Sequence, residues 1–373
     1  MGRTVVYVLL IISLIAAFFT HIQAAVTGRC ANCHTMHNSQ NGTEEDPNGP
    51  NPFLLSNDCL GCHSSDTSST YYEMAPDGCL VPVVLYTGGS APENFLAGGN
   101  FWWVNEGDDT KGHNVFLNED DPFLSNAPGA TVSCTNSCHV NLSRPYPGAG
   151  QNDDLGGKYG CEGCHTRVKH HSSDHTNGES GLVTSAGQGW YRFLAAAHSP
   201  DDFGVKGYED GLWEAGHPDH SPGTATHNGY AGDPDPHSGL QSSDKGGISG
   251  FCNGCHAFFS SAYVNNPFWG QVYKDHWIRH PSDAVIPETG EYANAGGDSH
   301  LYDPLSPVAQ ETVDATPETT VTPGSDMVMC LSCHRPHGSP YPDMLRWDYS
   351  EQIAGGGGLS DDRGCFYCHT SKN

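Results

Sequence analysis

One short cysteine pattern recurs along these 373 residues and constrains the fold more than any other feature. Six copies read C-x-x-C-H: Cys30/Cys33/His34, Cys59/Cys62/His63, Cys161/Cys164/His165, Cys252/Cys255/His256, Cys330/Cys333/His334 and Cys365/Cys368/His369. A seventh copy is one residue wider, Cys134/Cys138/His139. Two thiols at this spacing can bond the two vinyl groups of one porphyrin, and the histidine that follows then lies beneath the iron. A disulfide framework does not require His after every second Cys. A zinc site needs two such pairs brought together for four ligands. The pattern therefore predicts seven covalently attached c-type haems, with His34, His63, His139, His165, His256, His334 and His369 as proximal ligands. Cys79 is left over and reads as a small apolar residue in a strand.

Each iron has a second axial position. The 22 histidines include the seven in the motifs and His21 near the N-terminus, which leaves two for each iron. Methionine is scarce, six in all, so His–His ligation is expected. The expected distal ligands are His37, His113, His171, His198, His227, His280 and His337. His37 and His337 each follow a proximal histidine by three residues, too close to cap the same iron from its opposite face. They are expected to reach a neighbouring haem. One of His170, His171 and His175 is expected to ligate. His217, His220, His237 and His300 lie in Gly/Pro/Asp-rich stretches and read as non-ligands.

Residues 1–24 read as a signal peptide: Arg3, an apolar run from Val5 to Phe19, then Ala24 before the cleavage point. Residues 25–373 form one heptahaem domain that works outside the cytoplasm, at the cell surface or beyond it, with the periplasm as the alternative. With 16 basic and 43 acidic residues the formal net charge is −27, which disfavours nucleic acid as a partner. Hydrophobic residues are only 36% of the chain, so porphyrin is expected to fill much of the interior. The stretches between motifs carry no helical periodicity of domain length. The fold class is a coil-dominated multihaem cytochrome c with a few short helices and strands, its chain wrapped around a continuous haem stack. Val81–Tyr86 and Phe101–Val104 read as strands, Gly187–His198 and Phe268–His280 as helices, and 303–326 as a polar loop. No residue set suggests acid–base or nucleophilic chemistry, so an electron carrier is expected and not an enzyme.

With the motifs placed, the chain resembles the outer-surface multihaem cytochromes that polymerise into conducting filaments, the OmcS/OmcE type. The resemblance rests on Cys30-Ala-Asn-Cys-His-Thr-Met-His37, Lys111-Gly-His113-Asn-Val, Arg279-His280-Pro, Cys330-Leu-Ser-Cys-His-Arg-Pro-His337 and Cys365-Phe-Tyr-Cys-His369, in that order. It implies a homopolymer that passes respiratory electrons to other redox proteins and external acceptors. It also implies that His37 caps a haem of the adjacent subunit. The wider Cys134/Cys138 motif and the count of seven depart from the pattern. A monomeric surface or periplasmic carrier and, further off, a multihaem reductase are the alternatives.

Overall fold

The computed structural model describes residues 28–34, 39–40, 43–44, 59–74, 79–115, 160–165, 168–171, 181–195, 204–215, 222–233, 246–253, 256, 280–355 and 363–372. Residues 1–24 (read as a signal peptide), His37, His198, Cys255, the Cys134/Cys138/His139 motif and all of the Phe268–His280 segment except His280 lie outside them.

Regular structure is sparse and short, as the absence of helical periodicity predicts. Among the described residues no helix is long and apolar enough to cross a membrane. Helical turns fall on the motifs themselves: Cys59–His63, Ile248–Asn253, Cys330–Cys333 and Cys365–Cys368. The main organising unit is a six-stranded sheet. Its order is Ala284–Val285, Met327–Val328, Ala309–Gln310, Gly229–Ala231, Gly207–Tyr208, Leu182–Val183. All neighbours are antiparallel except Ala309–Gln310 against Gly229–Ala231, where Ala309 pairs with Tyr230. The expected polar loop 303–326 thus carries a central strand, and its residues 303–309 are buried.

Apolar packing is divided. One cluster joins Tyr191, Val205, Tyr230, Ile248, Ala309, Met327 and Met329 across the sheet. A second joins Ile286, Ala295, Tyr302, Val308, Val321 and Tyr367. A third, Leu85, Phe101 and Val115, packs against Cys161. The last two each touch an attachment motif, so the cores position cysteines.

Two local expectations are revised. Val81–Tyr86 is extended as expected, in strands Cys79–Pro82 and Leu85–Tyr86. Phe101–Val104 is not a strand but part of a helical turn, Trp102–Asn105. The buried Asn100 Oδ1 accepts from Trp102 N, an Asx-type bond that leads into that turn. Gly187–His198 is not one helix. Trp190, Arg192 and Phe193 have φ of 63°, 47° and 60°, which breaks the segment into two 3-10 turns.

Candidate haem sites

Each described motif folds as a single turn. The amide of His34 donates to Cys30 O at 2.8 Å, that of His165 to Cys161 O at 2.9 Å, and that of His369 to Cys365 O at 2.9 Å. The same bond closes Cys252 to His256 and Cys330 to His334. A closed turn puts residues i and i+3 on one face, so both thiols of a motif point the same way. All twelve described cysteines, Cys79 included, are free thiols and not disulfides.

Cys62 has a backbone role beside its thiol. It lies half-buried in the turn Cys59–His63 and, like Cys59, is in no disulfide. Its backbone also holds the fold, because Cys62 O accepts from the Tyr72 hydroxyl at 2.7 Å. That bond ties the second motif to the strand Tyr71–Met74, which pairs with Cys79–Pro82. The motif shows the thiol spacing but not this carbonyl's partner, which lies ten residues on.

The histidines carry a second regularity. Nδ1 of His63 donates to Pro82 O, of His113 to Pro336 O, of His165 to Arg192 O and of His280 to Pro281 O, each at 2.9 Å. His334 Nδ1 donates to Asp343 O at 2.7 Å. A carbonyl only accepts, so the proton is fixed on Nδ1 and the Nε2 lone pair is left for a metal. Burial reinforces this. It pushes His63, His113, His165, His170 and His280 below the usual histidine range, His256 to about 4 and His337 to about 3. These rings are neutral, the form that binds iron.

Five pairs of rings then face each other at one characteristic separation. Centroids are 5.9 Å apart for His34 and His171, 6.2 Å for His63 and His170, and 6.2 Å for His113 and His256. They are 6.1 Å apart for His165 and His337 and 6.3 Å for His280 and His369. A metal about 2 Å from each ring nitrogen, with each nitrogen roughly 1 Å from its ring centre, spaces the centroids by about 6 Å. A direct stack is much closer, as with His227 on Tyr302 at 3.8 Å. Free paired thiols beside a neutral imidazole, with a second imidazole across a metal-sized gap, fit a bis-histidine c-type haem.

Of the expected distal residues, His113, His171, His280 and His337 stand in such pairs. His170 joins them, so two of the 170/171/175 group stand opposite motif histidines where one was expected. His227 requires a correction. Its Nδ1 lies 2.7 Å from Asn228 O and its Nε2 2.9 Å from Glu318 O, and the ring is buried. Neither nitrogen faces an attachment site, and the residue braces the second core. His300, read as a non-ligand, shares the Nδ1-to-carbonyl bond through Ala295 O at 2.9 Å. Its surroundings of Gly and Asp concealed that signal.

The sites are contiguous. His170 and His171 are chain neighbours yet serve different partners. The thiols of Cys59 and Cys161 are hydrogen-bonded, as are those of Cys252 and Cys330. Cys333 lies beside Cys365 and Cys368. His337 lies near His113 and His63 as well as His165. The described sites therefore follow one another as His34, His63, His165, His256, His334, His369.

Comparison with known proteins agrees. Residues 322–373, which hold the last two motifs, match the doubled CXXCH motif family. C-type cytochrome OmcS of Geobacter sulfurreducens is 26% identical, over 92% of this chain and 84% of its own. The chain is related to the OmcS-type multihaem cytochromes. Two solved structures are also similar to it. The Outer Membrane Cytochrome S filament from Geobacter sulfurreducens has 21% identity and a TM-score of 0.45, covering 94% of this chain and 92% of its own. The OmcS nanowires from the same organism have 20% identity and a TM-score of 0.45, covering 90% and 88%.

Proposed function

We propose that this OmcS relative is an exported heptahaem c-type cytochrome that polymerises into an extracellular filament and conducts respiratory electrons to external acceptors. The observation that carries the reading is the set of five imidazole pairs at 5.9–6.3 Å, each with one member from an attachment motif. When bound, the haems supply iron that takes up and passes on one electron at a time. The chain's own residues attach, cap and space them. In this reading His171, His170, His337, His113 and His280 are the distal ligands of the sites at His34, His63, His165, His256 and His369. The second of these haems is attached through Cys59 and Cys62. The seventh site is at Cys134, Cys138 and His139.

His334 supports the polymeric part of the reading. Its Nδ1 is fixed on Asp343 O in a hydrogen bond at the surface. Among the described residues no imidazole faces it at about 6 Å, the bis-histidine spacing. In the proposal, His37 of the adjacent subunit fills that position, so that an axial bond joins acidic subunits that would otherwise repel. The test is intact-mass spectrometry of the exported protein together with electron microscopy of surface material. The expected result is seven haem additions and filaments for the natural chain. His37→Ala is expected to give haem-loaded monomers with one high-spin haem. Filaments of normal length from that variant, or a monodisperse natural protein, would refute the polymer.

A further inference from the structure

Asp283 is a buried carboxylic acid that none of the roles above uses. It is 1% exposed, stands in the left-handed region at φ 53°, and opens the strand Ala284–Val285. A non-glycine residue in that region is strained and persists only where its surroundings over-determine it. Neither carboxyl oxygen has a full hydrogen bond. The groups that face it are the Ser249 hydroxyl, the Asp233 amide and carboxylate, and the thiols of Cys330 and Cys252. None of these carries a positive charge. Ser249 and Ser282 also hydrogen-bond Cys330, whose amide donates to Ser249 Oγ at 3.2 Å. Asp283 thus belongs to the same buried polar knot as the two hydrogen-bonded thiols from adjacent attachment sites.

A carboxylate in that place is opposed by burial and by the nearby charges of Cys330 and Asp233, and supported by the Ser249 hydroxyl and the Asp233 amide. Burial is the largest effect and pushes its pKa up to about 7. In the loaded protein both thiols become thioethers and lose their charge, while Asp233 and the burial remain. An acid in this state changes protonation at modest cost near neutral pH, and it responds to any charge that changes beside it.

We propose that Asp283 is a proton site coupled to electron entry at the Cys252 and Cys330 attachment sites. An electron arriving from the preceding site lowers the local positive charge by one. The Asp283 carboxylate then takes one proton from bulk water and becomes the neutral acid. When the electron leaves, the acid returns that proton. Charge at the knot balances at each step. This inference rests on haem being carried at those two motifs. Its own failure is distinguishable, because loading is read by peptide mass and coupling by potential.

The experiment is a spectroelectrochemical titration of the full-length haem-loaded protein between about pH 5.5 and pH 8.5, a window centred on the usual neutral range. Part of the haem absorbance is expected to show a midpoint that falls as pH rises. A tenfold change in the reduction equilibrium per pH unit corresponds to about 59 mV for one electron. Asp283→Asn is expected to flatten that component with haem content unchanged. Asp233→Asn, which removes the neighbouring negative charge, is expected to move its window to lower pH. Potentials independent of pH in the natural protein, or an undiminished slope in Asp283→Asn, would overturn the proposal. If that variant does not load haem, infrared difference spectra of the natural protein decide. A protonated-carboxyl band that grows on reduction and shifts in heavy water is expected, and its absence overturns the proposal.

Discussion

The positions of His113 and His337, the proposed distal ligands of two sites, hang on one crossing of three glycine-bearing segments, and Gly99→Ala tests it. Asn100 N donates to Gly338 O at 3.1 Å, His337 N to Gly98 O at 2.8 Å, and Ser339 N to Lys111 O at 3.0 Å. His113 Nδ1 donates to Pro336 O in the same knot. A Cβ on Gly99 would meet Gly338 O far inside the 3.0 Å that real Cβ atoms essentially never cross, and Gly99 has φ 95°. The obstacle is backbone, so no side chain can swing away and the segments must part. Strain at such a φ costs about 1–3 kcal/mol. Overpacking adds about 1–3 kcal/mol. A total of roughly 2–6 kcal/mol is expected to lower Tm by about 3–8 °C in a chain of this size. Because His337 and His113 are carried by the displaced segments, their partners His165 and His256 are expected to lose low-spin character. Thermal melts followed at the Soret band and low-temperature electron paramagnetic resonance read both effects. Gly89→Ala is the control, since a Cβ there meets nothing within 4 Å. A Gly99→Ala protein with an unchanged melt and spectrum would refute the reasoning.

Further expectations follow from the pairs. His170→Ala and His171→Ala are each expected to convert a single haem to high spin, a different one in each, and the double variant two. Identical spectra for the two single variants would contradict the pairing. His227→Leu is expected to leave every haem low-spin. A neutral imidazole donates to one of the Asn228 and Glu318 carbonyls, and its loss strands that one at about 1–3 kcal/mol, so the melt falls while the resonance spectrum stays. Acid stability before haem loading has a definite sign. His256 and His337 titrate near 4 and 3 in the fold but near 6.5 when unfolded, so the unfolded chain binds more protons in that interval. Their contribution is present above about pH 6.5 and is lost as pH falls toward their folded values. Asp283 and Asp326, raised to about 7 and 6, act oppositely over part of that range. The seven lowered histidines outnumber them. Denaturant melts of the haem-free chain are therefore expected to show stability rising from about pH 4 to 6.5, and a flat or falling profile would contradict this.

The attachment motifs are legible in the sequence alone, because each is complete within five or six neighbours, and each described motif closes on itself as one turn. The sequence also determined the sparse secondary structure, since no long stretch carried a helical period. Which imidazole faces which motif was decided by the tertiary structure. Those pairings span up to 172 residues, as in His165 with His337. His227 and His300 show the same limit in reverse. Whether a ring has a free nitrogen depends on a carbonyl 91 residues away at Glu318 in one case, and on a local turn to Ala295 in the other. The broken Gly187–His198 segment is an example too. Arg192 takes φ 47° while its carbonyl holds His165 and its amide meets Glu209, demands that no local propensity encodes. Covalent attachment is local chemistry and is written in the motif. Axial capping needs two distant segments at a distance fixed by the metal, and only the folded chain supplies that.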